Sequence, residues 1–120
     1  MSNTHPFRFG AVTSQIRTRQ VLKETARKLE AAGFATMLLT DHLGEDRLTA
    51  IPALVSAADA TTTLRVGSLV LNNDLRHPAV LAGEIATVDV VTDGRFELGI
   101  GAGWEKEDYD RTGIKLEPAP

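Results

Sequence analysis

The chain alternates between short apolar segments and longer segments in which apolar residues recur every three or four positions. Short apolar segments bounded by turn residues predict buried strands, and the longer spacing predicts amphipathic helices. Four strands are predicted in this way, over residues 7–12, 34–40, 65–71 and 95–100. Three helices fall between them: one that ends at Gly33, one over residues 51–60 and one over residues 78–92. The order is β-α-β-α-β-α-β, and the crossovers are long enough to join parallel strands.

Residues with strong local preferences set the ends of the predicted helices. Three residues could cap the first helix, namely Thr13, Ser14 and Thr18. Gly33 ends that helix, because glycine accepts a positive φ. Pro78 fits the first turn of the third helix, where no N–H is needed, and His77 before it has a capping or positioning role. Asp93-Gly94 ends the third helix, and another helix could begin within residues 104–109.

Strands that alternate with helices leave two architectures, an open doubly wound sheet or part of a (β/α) barrel. Four βα steps are half of the eight in a closed barrel, which takes about 250 residues. The chain has 120 residues, about half of that length. It is therefore predicted to form one domain at most, over residues 1–120, with loose ends near residues 1–6 and 114–120.

Composition limits the kinds of function. Apolar residues make up 42% of the chain and charged residues 24%, as in ordinary globular proteins. The net charge is -3, and acidic and basic residues are interspersed along the chain. They form no basic patch, which argues against nucleic-acid binding. Cysteine is absent, so disulfides and thiolate sites are excluded, and three scattered histidines make a weak metal site. Neither a signal peptide nor an apolar run of about 18 residues is found, so we expect a cytoplasmic protein that does not enter a membrane.

The first candidate for chemistry is Asp41-His42, which follows the second predicted strand. The carboxyl ends of parallel strands face the active site in barrels and in open sheets. Histidine is also the side chain best suited to exchange protons near neutral pH. The alternative interpretation is structural: Asp41 would cap the following turn, and His42 would be a partly exposed neighbour.

Two further segments follow the later strands. The residues Gly99-Ile100-Gly101-Ala102-Gly103 could let a backbone approach a phosphate, or could pack tightly beside a strand. They fail the dinucleotide fingerprint, which needs a glycine where Trp104 lies. Asn72-Asn73-Asp74 could bond a ligand or form a plain turn. Trp104, the only tryptophan, could stack on a planar cofactor or cover the core.

Four segments stand together in a recognisable order: Phe34 to His42, Thr63 to Ser68, His77 to Ala82, and Asp93 to Trp104. In this combination the chain resembles the luciferase-like monooxygenase family, and most closely its branch that uses the deazaflavin coenzyme F420. The resemblance covers about residues 7–113. It implies an α/β fold, the N-terminal half (about four βα units) of a TIM (β/α)8 barrel. It also implies an oxidoreductase or monooxygenase that moves hydride through F420, or alternatively through FMN.

Carried over by position, the resemblance implies a site at the carboxyl ends of the strands. His42 would be the proton donor or acceptor, and Asp41 would lie beside the flavin or deazaflavin ring. A bulged strand with a non-prolyl cis peptide near Leu69-Val70 would support the face of that ring. The cofactor-binding residues implied in addition to Asp41 are Ser68, Leu69, Val70, Asn72, Gly101, Ala102, Gly103 and Trp104.

Two departures separate the chain from the F420-dependent sugar-phosphate dehydrogenases of this family. Those enzymes carry a tryptophan shortly after the Asp-His pair, where this chain has Gly44-Glu45-Asp46. They also carry an acid where Trp104 stands here. The two departures argue against sugar-phosphate oxidation and leave the wider family likeness unaffected.

A half-barrel would leave its first and fourth strands with unpaired edges and its inner apolar face uncovered. We therefore hypothesise that the chain is an N-terminal fragment, or that it self-associates or pairs with a second half-barrel, and that it acts on a small-molecule substrate. Two other functions stay open. One is a catalytically incomplete half-barrel that acts only by association with a partner, and the other is a small doubly wound domain that binds NAD(P).

Overall fold

The computed structural model describes residues 6–117, in which strands and helices alternate along the chain. The strands are β1 Gly10–Thr13, β2 Thr36–Leu39, β3 Arg65–Ser68, β4 Leu71–Asn72, β5 Phe96–Glu97 and β6 Ile100–Gly101. The helices are α1 Arg19–Ala31, α2 Ala50–Asp59, α3 Pro78–Val91 and α4 Lys106–Thr112, and a short 3-10 helix covers Asn73–Leu75. The predicted loose ends at residues 1–5 and 118–120 lie outside the described residues.

The main sheet contains β1, β2, β3 and β5, paired in parallel in that order. The order follows the chain without a reversal. A doubly wound sheet reverses its strand order at a switch point, whereas a barrel adds each strand beside the previous one. The sheet therefore has the arrangement of a barrel segment. β4 and β6 form a second parallel pair that continues β3 and β5.

One face of the main sheet is packed against the helices. This face carries Met37, Leu39, Val66 and Phe96, all of them buried. Helix α2 covers it mostly with alanine side chains, and its buried residues are Ala50, Ala53, Leu54, Ala57 and Ala58. Because these side chains are short, α2 can lie close to β3 and between α1 and α3. The hydrophobic core thus forms between the sheet and a single layer of helices.

The other face of the sheet is not covered by any element of the described chain. Strand register places Val12, Leu38, Arg65 and Glu97 on this face, and 53% of Val12 is exposed. The principal extents are 48 × 40 × 23 Å, and the radius of gyration is 15.4 Å. A compact domain of this length has a radius of gyration of about 14 Å. The described residues therefore form an open slab, as expected for a segment of a barrel wall.

The strands predicted over residues 65–71 and 95–100 are found at those positions, but each is interrupted and forms two short strands. The prediction of two continuous strands was therefore wrong. The peptide bond between Leu69 and Val70 is cis, where the resemblance implied it. Opposite this bond, the backbone of Gly99 comes so close to Ser68 that a Cβ on Gly99 would overlap the Ser68 carbonyl oxygen. The Ser68 hydroxyl donates to the Gly99 oxygen (2.8 Å) and accepts from the Gly99 nitrogen (3.1 Å). These bonds replace the regular ladder between the two strands.

Two local predictions at helix starts are confirmed. Thr18, and neither Thr13 nor Ser14, caps α1, because its hydroxyl accepts a hydrogen bond from the Val21 nitrogen at 3.2 Å. The His77 side chain caps α3, with Nδ1 accepting from the Ala79 nitrogen at 3.2 Å.

The first strand begins at Gly10 and not at residue 7, because its pairing with the second strand starts there. The carbonyl of Phe9 accepts the first bond, from Ala35 at 2.8 Å. Among the described residues no strand pairs with Phe7, which is 93% exposed.

Within residues 6–117, no helix combines the length and the apolar composition needed to cross a membrane. The same residues bring no three histidine, cysteine, aspartate or glutamate side chains together as a metal site.

Candidate functional site

An open cavity of about 160 Å³ lies at the carboxyl ends of β2, β4 and β6, beside α4. It is lined by Thr40, Asp41, His42, Leu69, Val70, Asn72, Ala102, Gly103, Trp104 and Asp108. All the residues that the sequence resemblance assigned to the site are in this lining, apart from Ser68 and Gly101. Three parallel strands end at the cavity, which explains how residues from four distant parts of the chain meet there.

His42 is held by two neighbours. Its Nδ1 lies 2.9 Å from Oδ2 of Asp108, and the other oxygen of Asp108 accepts a bond from the Leu43 nitrogen at 2.7 Å. The Trp104 ring meets the His42 ring edge-on, with centroids 5.6 Å apart and planes at 82°. The His42 side chain is 25% exposed, whereas that of Asp108 is 2% exposed. His42 is therefore fixed on one side and open to solvent on the other.

Asp41 is buried and has a different role from His42. Its two oxygens accept bonds from the guanidinium of Arg76, and Oδ2 also accepts from the Asn72 backbone nitrogen at 2.9 Å. The hydrogen bonds to Asp41 raise the pKa of Arg76, against the opposing effect of burial. Asp41 thus joins the end of β2 to β4 and to the loop before α3, which neither of the two interpretations of this residue anticipated.

The wall beneath Gly103 is a polar cluster contributed by β4, the short 3-10 helix and α4. The hydroxyl of Tyr109 donates to Oδ2 of Asp74 at 2.9 Å, and the side-chain oxygen of Asn72 accepts from the Asp74 nitrogen at 3.0 Å. Burial raises the pKa of Tyr109, and the bond to Asp74 acts in the same direction. A Cβ on Gly103 would overlap the Tyr109 hydroxyl and the Asn72 amide, so a larger residue here would have to displace both side chains.

The rest of the lining, apart from Thr40, is apolar, and its large side chains are partly exposed. The exposed fractions are 49% for Leu69, 38% for Val70 and 70% for Trp104. Large apolar side chains left open around a cavity are typical of sites for ligands with an apolar surface. The cavity therefore combines an apolar wall with one accessible histidine.

Ser68 and Gly101 lie behind the cavity. The Ser68 side chain is buried and is engaged by Gly99, as described above. Gly101 faces Val70, since a Cβ there would be 2.7 Å from one Val70 methyl group. Both residues shape the wall from the rear in this chain.

Three residues important to the site were not identified from the sequence: Arg76, Asp108 and Tyr109. Sequence analysis placed residues 104–109 at the start of a helix without assigning any of them to the site. Nothing local distinguishes Asp108 from the exposed acids Glu107 and Asp110, because its role depends on contacts with the loop after β2.

A model of the luciferase-like monooxygenase family matches residues 2–119. An F420-dependent glucose-6-phosphate dehydrogenase from Beutenbergia cavernae is 36% identical over 102 residues, which are 79% of this chain and 30% of that protein.

Two solved structures are also similar. The coenzyme F420-dependent tetrahydromethanopterin reductase from Methanopyrus kandleri superposes with a TM-score of 0.77 at 27% identity, covering 88% of this chain and 30% of that one. The oxygenating constituent of 3,6-diketocamphane monooxygenase from Pseudomonas putida, in complex with FMN, gives a TM-score of 0.79 at 21% identity, over 92% of this chain and 33% of that one. The chain thus spans about a third or less of the length of these relatives. With a family match over nearly all of its residues, the chain belongs to the luciferase-like monooxygenase family.

Proposed function

We propose that this chain is the His42-bearing, N-terminal part of an oxidoreductase that uses coenzyme F420, with FMN as the alternative cofactor. The observation that carries the proposal is one cavity that combines an accessible, oriented histidine with an exposed apolar wall. The F420-dependent relatives favour F420, and the FMN complex of the Pseudomonas putida protein keeps FMN open. We further propose one partial domain over residues 1–120 and, as predicted from the sequence, a cytoplasmic location.

The residues of the cavity suit a planar, tricyclic ring. Leu69 and Val70 offer an apolar surface for a ring face, and Trp104 and Ala102 add apolar contacts at the other lining positions. Such a ring, when bound, would accept or deliver a hydride. The cavity volume of about 160 Å³ is below the roughly 300–1,000 Å³ of typical cofactor sites. The chain therefore supplies part of the site, and the remainder comes from other protein.

His42 would hold or move the proton that accompanies hydride transfer. Nε2 makes no hydrogen bond in the described part of the chain. Every buried side-chain nitrogen or oxygen there has a partner, so Nε2 is not one of the buried atoms. Nε2 is therefore accessible to a ligand. An imidazole with one ring nitrogen anchored and the other free is suited to general acid or base catalysis near neutral pH.

The substrate would be a small molecule. One relative is named as a glucose-6-phosphate dehydrogenase, yet the chain has Gly44-Glu45-Asp46 and Trp104 where those enzymes are expected to carry a tryptophan and an acid. Trp104 also packs against His42, so it occupies space beside the proposed proton donor. We therefore favour a substrate other than a sugar phosphate.

A second candidate function is association without catalysis. The uncovered sheet face favours it, because a partner is needed to remove that face from water. In this case the chain would pair with a second half-barrel or with another copy of itself and would bind no cofactor. Cofactor binding by the chain would rule out this second candidate.

The test is a titration of the purified chain with oxidised F420, with FMN and NADP as competitors. Trp104 is the only tryptophan and lines the cavity, so quenching of its fluorescence reports binding at this site. We expect saturable quenching by F420. The variant Gly101→Val should weaken it by displacing Val70 from the wall, whereas Gly83→Ala, on the exposed surface of α3, should not. If F420 and FMN both leave the fluorescence unchanged, the cofactor site of the chain alone is incomplete, and its chemistry would belong to a longer protein.

A further inference from the structure

Both oxygens of the Asp108 side chain contact the loop that carries His42. Oδ2 faces His42 Nδ1 at 2.9 Å, and Oδ1 accepts from the nitrogen of Leu43, the next residue, at 2.7 Å. The side chain is 2% exposed, so neither bond is shared with solvent. A carboxylate that contacts both the ring and the adjoining backbone fixes the ring relative to the chain that carries it.

This contact also decides which ring nitrogen carries the proton. A carboxylate can only accept hydrogen bonds, so a neutral His42 must place its proton on Nδ1. The lone pair of Nε2 then remains available on the accessible side of the ring. Trp104 contacts the ring edge-on and opposes rotation away from this position.

We propose that Asp108 is the positioning residue of His42: it selects the Nδ1–H tautomer and presents Nε2 to the ligand in the cavity. The inference rests on the proposed function, in which His42 handles a proton. Its physical content, the tautomer and its dependence on Asp108, is a property of the chain that requires no cofactor.

Helix α4 is anchored in a way that makes Asp108 a stable support. Tyr109, the next residue, donates to Asp74 at 2.9 Å and so attaches the helix to the loop after β4. Asp108 and Tyr109 together connect α4 to two strand ends. Since the Tyr109 bond does not involve His42, the two attachments can be removed separately, and this provides a matched control.

The experiment is nitrogen-15 NMR of the full chain with labelled histidine, recorded at alkaline pH on neutral rings. The variant His42→Gln identifies the His42 signals against those of His5 and His77. We expect the Nδ1–H tautomer in the wild-type chain. In Asp108→Asn the amide can still accept from Leu43 and donate to Nδ1, so the Nδ1-bound proton should be lost and the Nε2–H tautomer should replace it.

Tyr109→Phe is the control for attachment of the helix. It removes the bond to Asp74, and we expect the His42 tautomer to remain Nδ1–H. A wild-type chain with its proton on Nε2 would overturn the proposal, even if Asp108→Asn failed to fold. A tautomer that is unchanged in folded Asp108→Asn, or that changes equally in Tyr109→Phe, would also overturn it.

In the assembled enzyme, Asp108→Asn should lower kcat by roughly 10²–10⁴-fold and leave KM nearly unchanged, as expected when a catalytic imidazole holds the wrong tautomer. This outcome is independent of the cofactor titration. Correct tautomers without cofactor binding would leave the role of Asp108 in the chain intact and would show that the chain alone does not complete the cofactor site. Cofactor binding with the Nε2–H tautomer would support the proposed function and overturn the role of Asp108.

Discussion

Gly99 shows how a single residue determines the geometry of the site wall. Its backbone lies against Ser68, and the Ser68 hydroxyl bonds to both its nitrogen and its oxygen. The Leu71 nitrogen donates to the same oxygen at 2.8 Å. The local path of β4, and therefore the placement of Leu69 and Val70 in the cavity, depends on this close approach.

We predict that Gly99→Ala destabilises the chain by about 1–3 kcal/mol, because the added methyl group forces two strands apart. The matched control is Gly83→Ala. Nothing lies within 4 Å of a Cβ at Gly83, and alanine is the better helix former by up to about 1 kcal/mol. Urea denaturation of both variants measures the difference. Equal stability of Gly99→Ala and the wild type would show that the strands separate there without cost.

The buried ion pair between Arg76 and Asp41 gives a second prediction at the scale of single residues. The Asp41 side chain is 2% exposed and that of Arg76 is 18% exposed. Removing one member of a buried ion pair costs about 3–5 kcal/mol, since a charge remains without its partner. We expect this loss for Arg76→Met in urea denaturation. Arg17→Met should change stability by less than about 1 kcal/mol, because the pair between Arg17 and Asp46 is exposed. A small effect of Arg76→Met would place Asp41 in contact with water.

At the scale of elements, α1 is connected to the loop between α2 and β3 by one carboxylate. Glu30 accepts bonds from the backbone nitrogens of Thr63 (2.6 Å), Leu64 (2.9 Å) and Thr62 (2.8 Å). These bonds, led by that from Thr63, lower the pKa of Glu30 to about 2, from the ordinary value of 4.5. The Glu30 carboxylate therefore fixes α1 against the three backbone nitrogens of this loop.

The lowered pKa of Glu30 predicts the direction of a pH effect. The ionised carboxylate is favoured in the folded chain, so its contribution to stability is complete above pH 4.5 and is lost as pH falls from 4.5 towards 2. Glu30→Gln should destabilise the chain at pH 7 by about 1–2 kcal/mol, allowing for solvent at this site, and should flatten the pH dependence in that window. Urea denaturation at pH 7, 4 and 3 measures it. Glu24→Gln, on the same helix, should retain the wild-type slope.

Helix positions could be predicted from the sequence and strand details could not, for a physical reason. A helix is defined by local spacing and caps, and Thr18 and His77 act as caps where the sequence placed candidates for them. A strand is defined by its neighbours. The break after Ser68 depends on a contact with Gly99, which is distant in sequence, and composition alone does not reveal it. Only the family resemblance placed the cis peptide at Leu69-Val70.

At the scale of the whole molecule, the uncovered face has two different regions. Near the start of the strands Glu97 accepts bonds from Arg8, Arg65 and Thr36. Burial alone would raise the pKa of Glu97, but the bonds from Thr36, Arg65 and Arg8 outweigh it and lower the pKa. Farther along the strands the face is apolar at Val12. No helix or strand of the described chain packs on it. Alternating strands and helices predicted either a doubly wound sheet or part of a barrel, and the family resemblance implied the barrel, in which the helix layer covers only one side of the wall.

The strand edges are open as well. β1 pairs only with β2, and β5 pairs only with β3, among the described residues. Open edges and an exposed apolar face favour association. We therefore predict that the purified chain forms dimers or larger species, which sedimentation velocity would detect as a concentration-dependent shift above the monomer mass.

Two variants decide which surface is used. Val12→Lys places a charge on the uncovered sheet face at its edge strand, and Val90→Lys places one on the outer surface of α3, where Val90 is 75% exposed. If the sheet face closes the assembly, Val12→Lys should weaken association by at least tenfold, because a lysine would have to be buried in an apolar contact. Val90→Lys should leave it unchanged. The reverse result would assign association to the helix layer, and the barrel face would then be covered only by the rest of a longer protein. If the wild type and both variants are all monomeric, the sheet face tolerates contact with water. The exposed face would then give no reason to expect pairing with a second half-barrel.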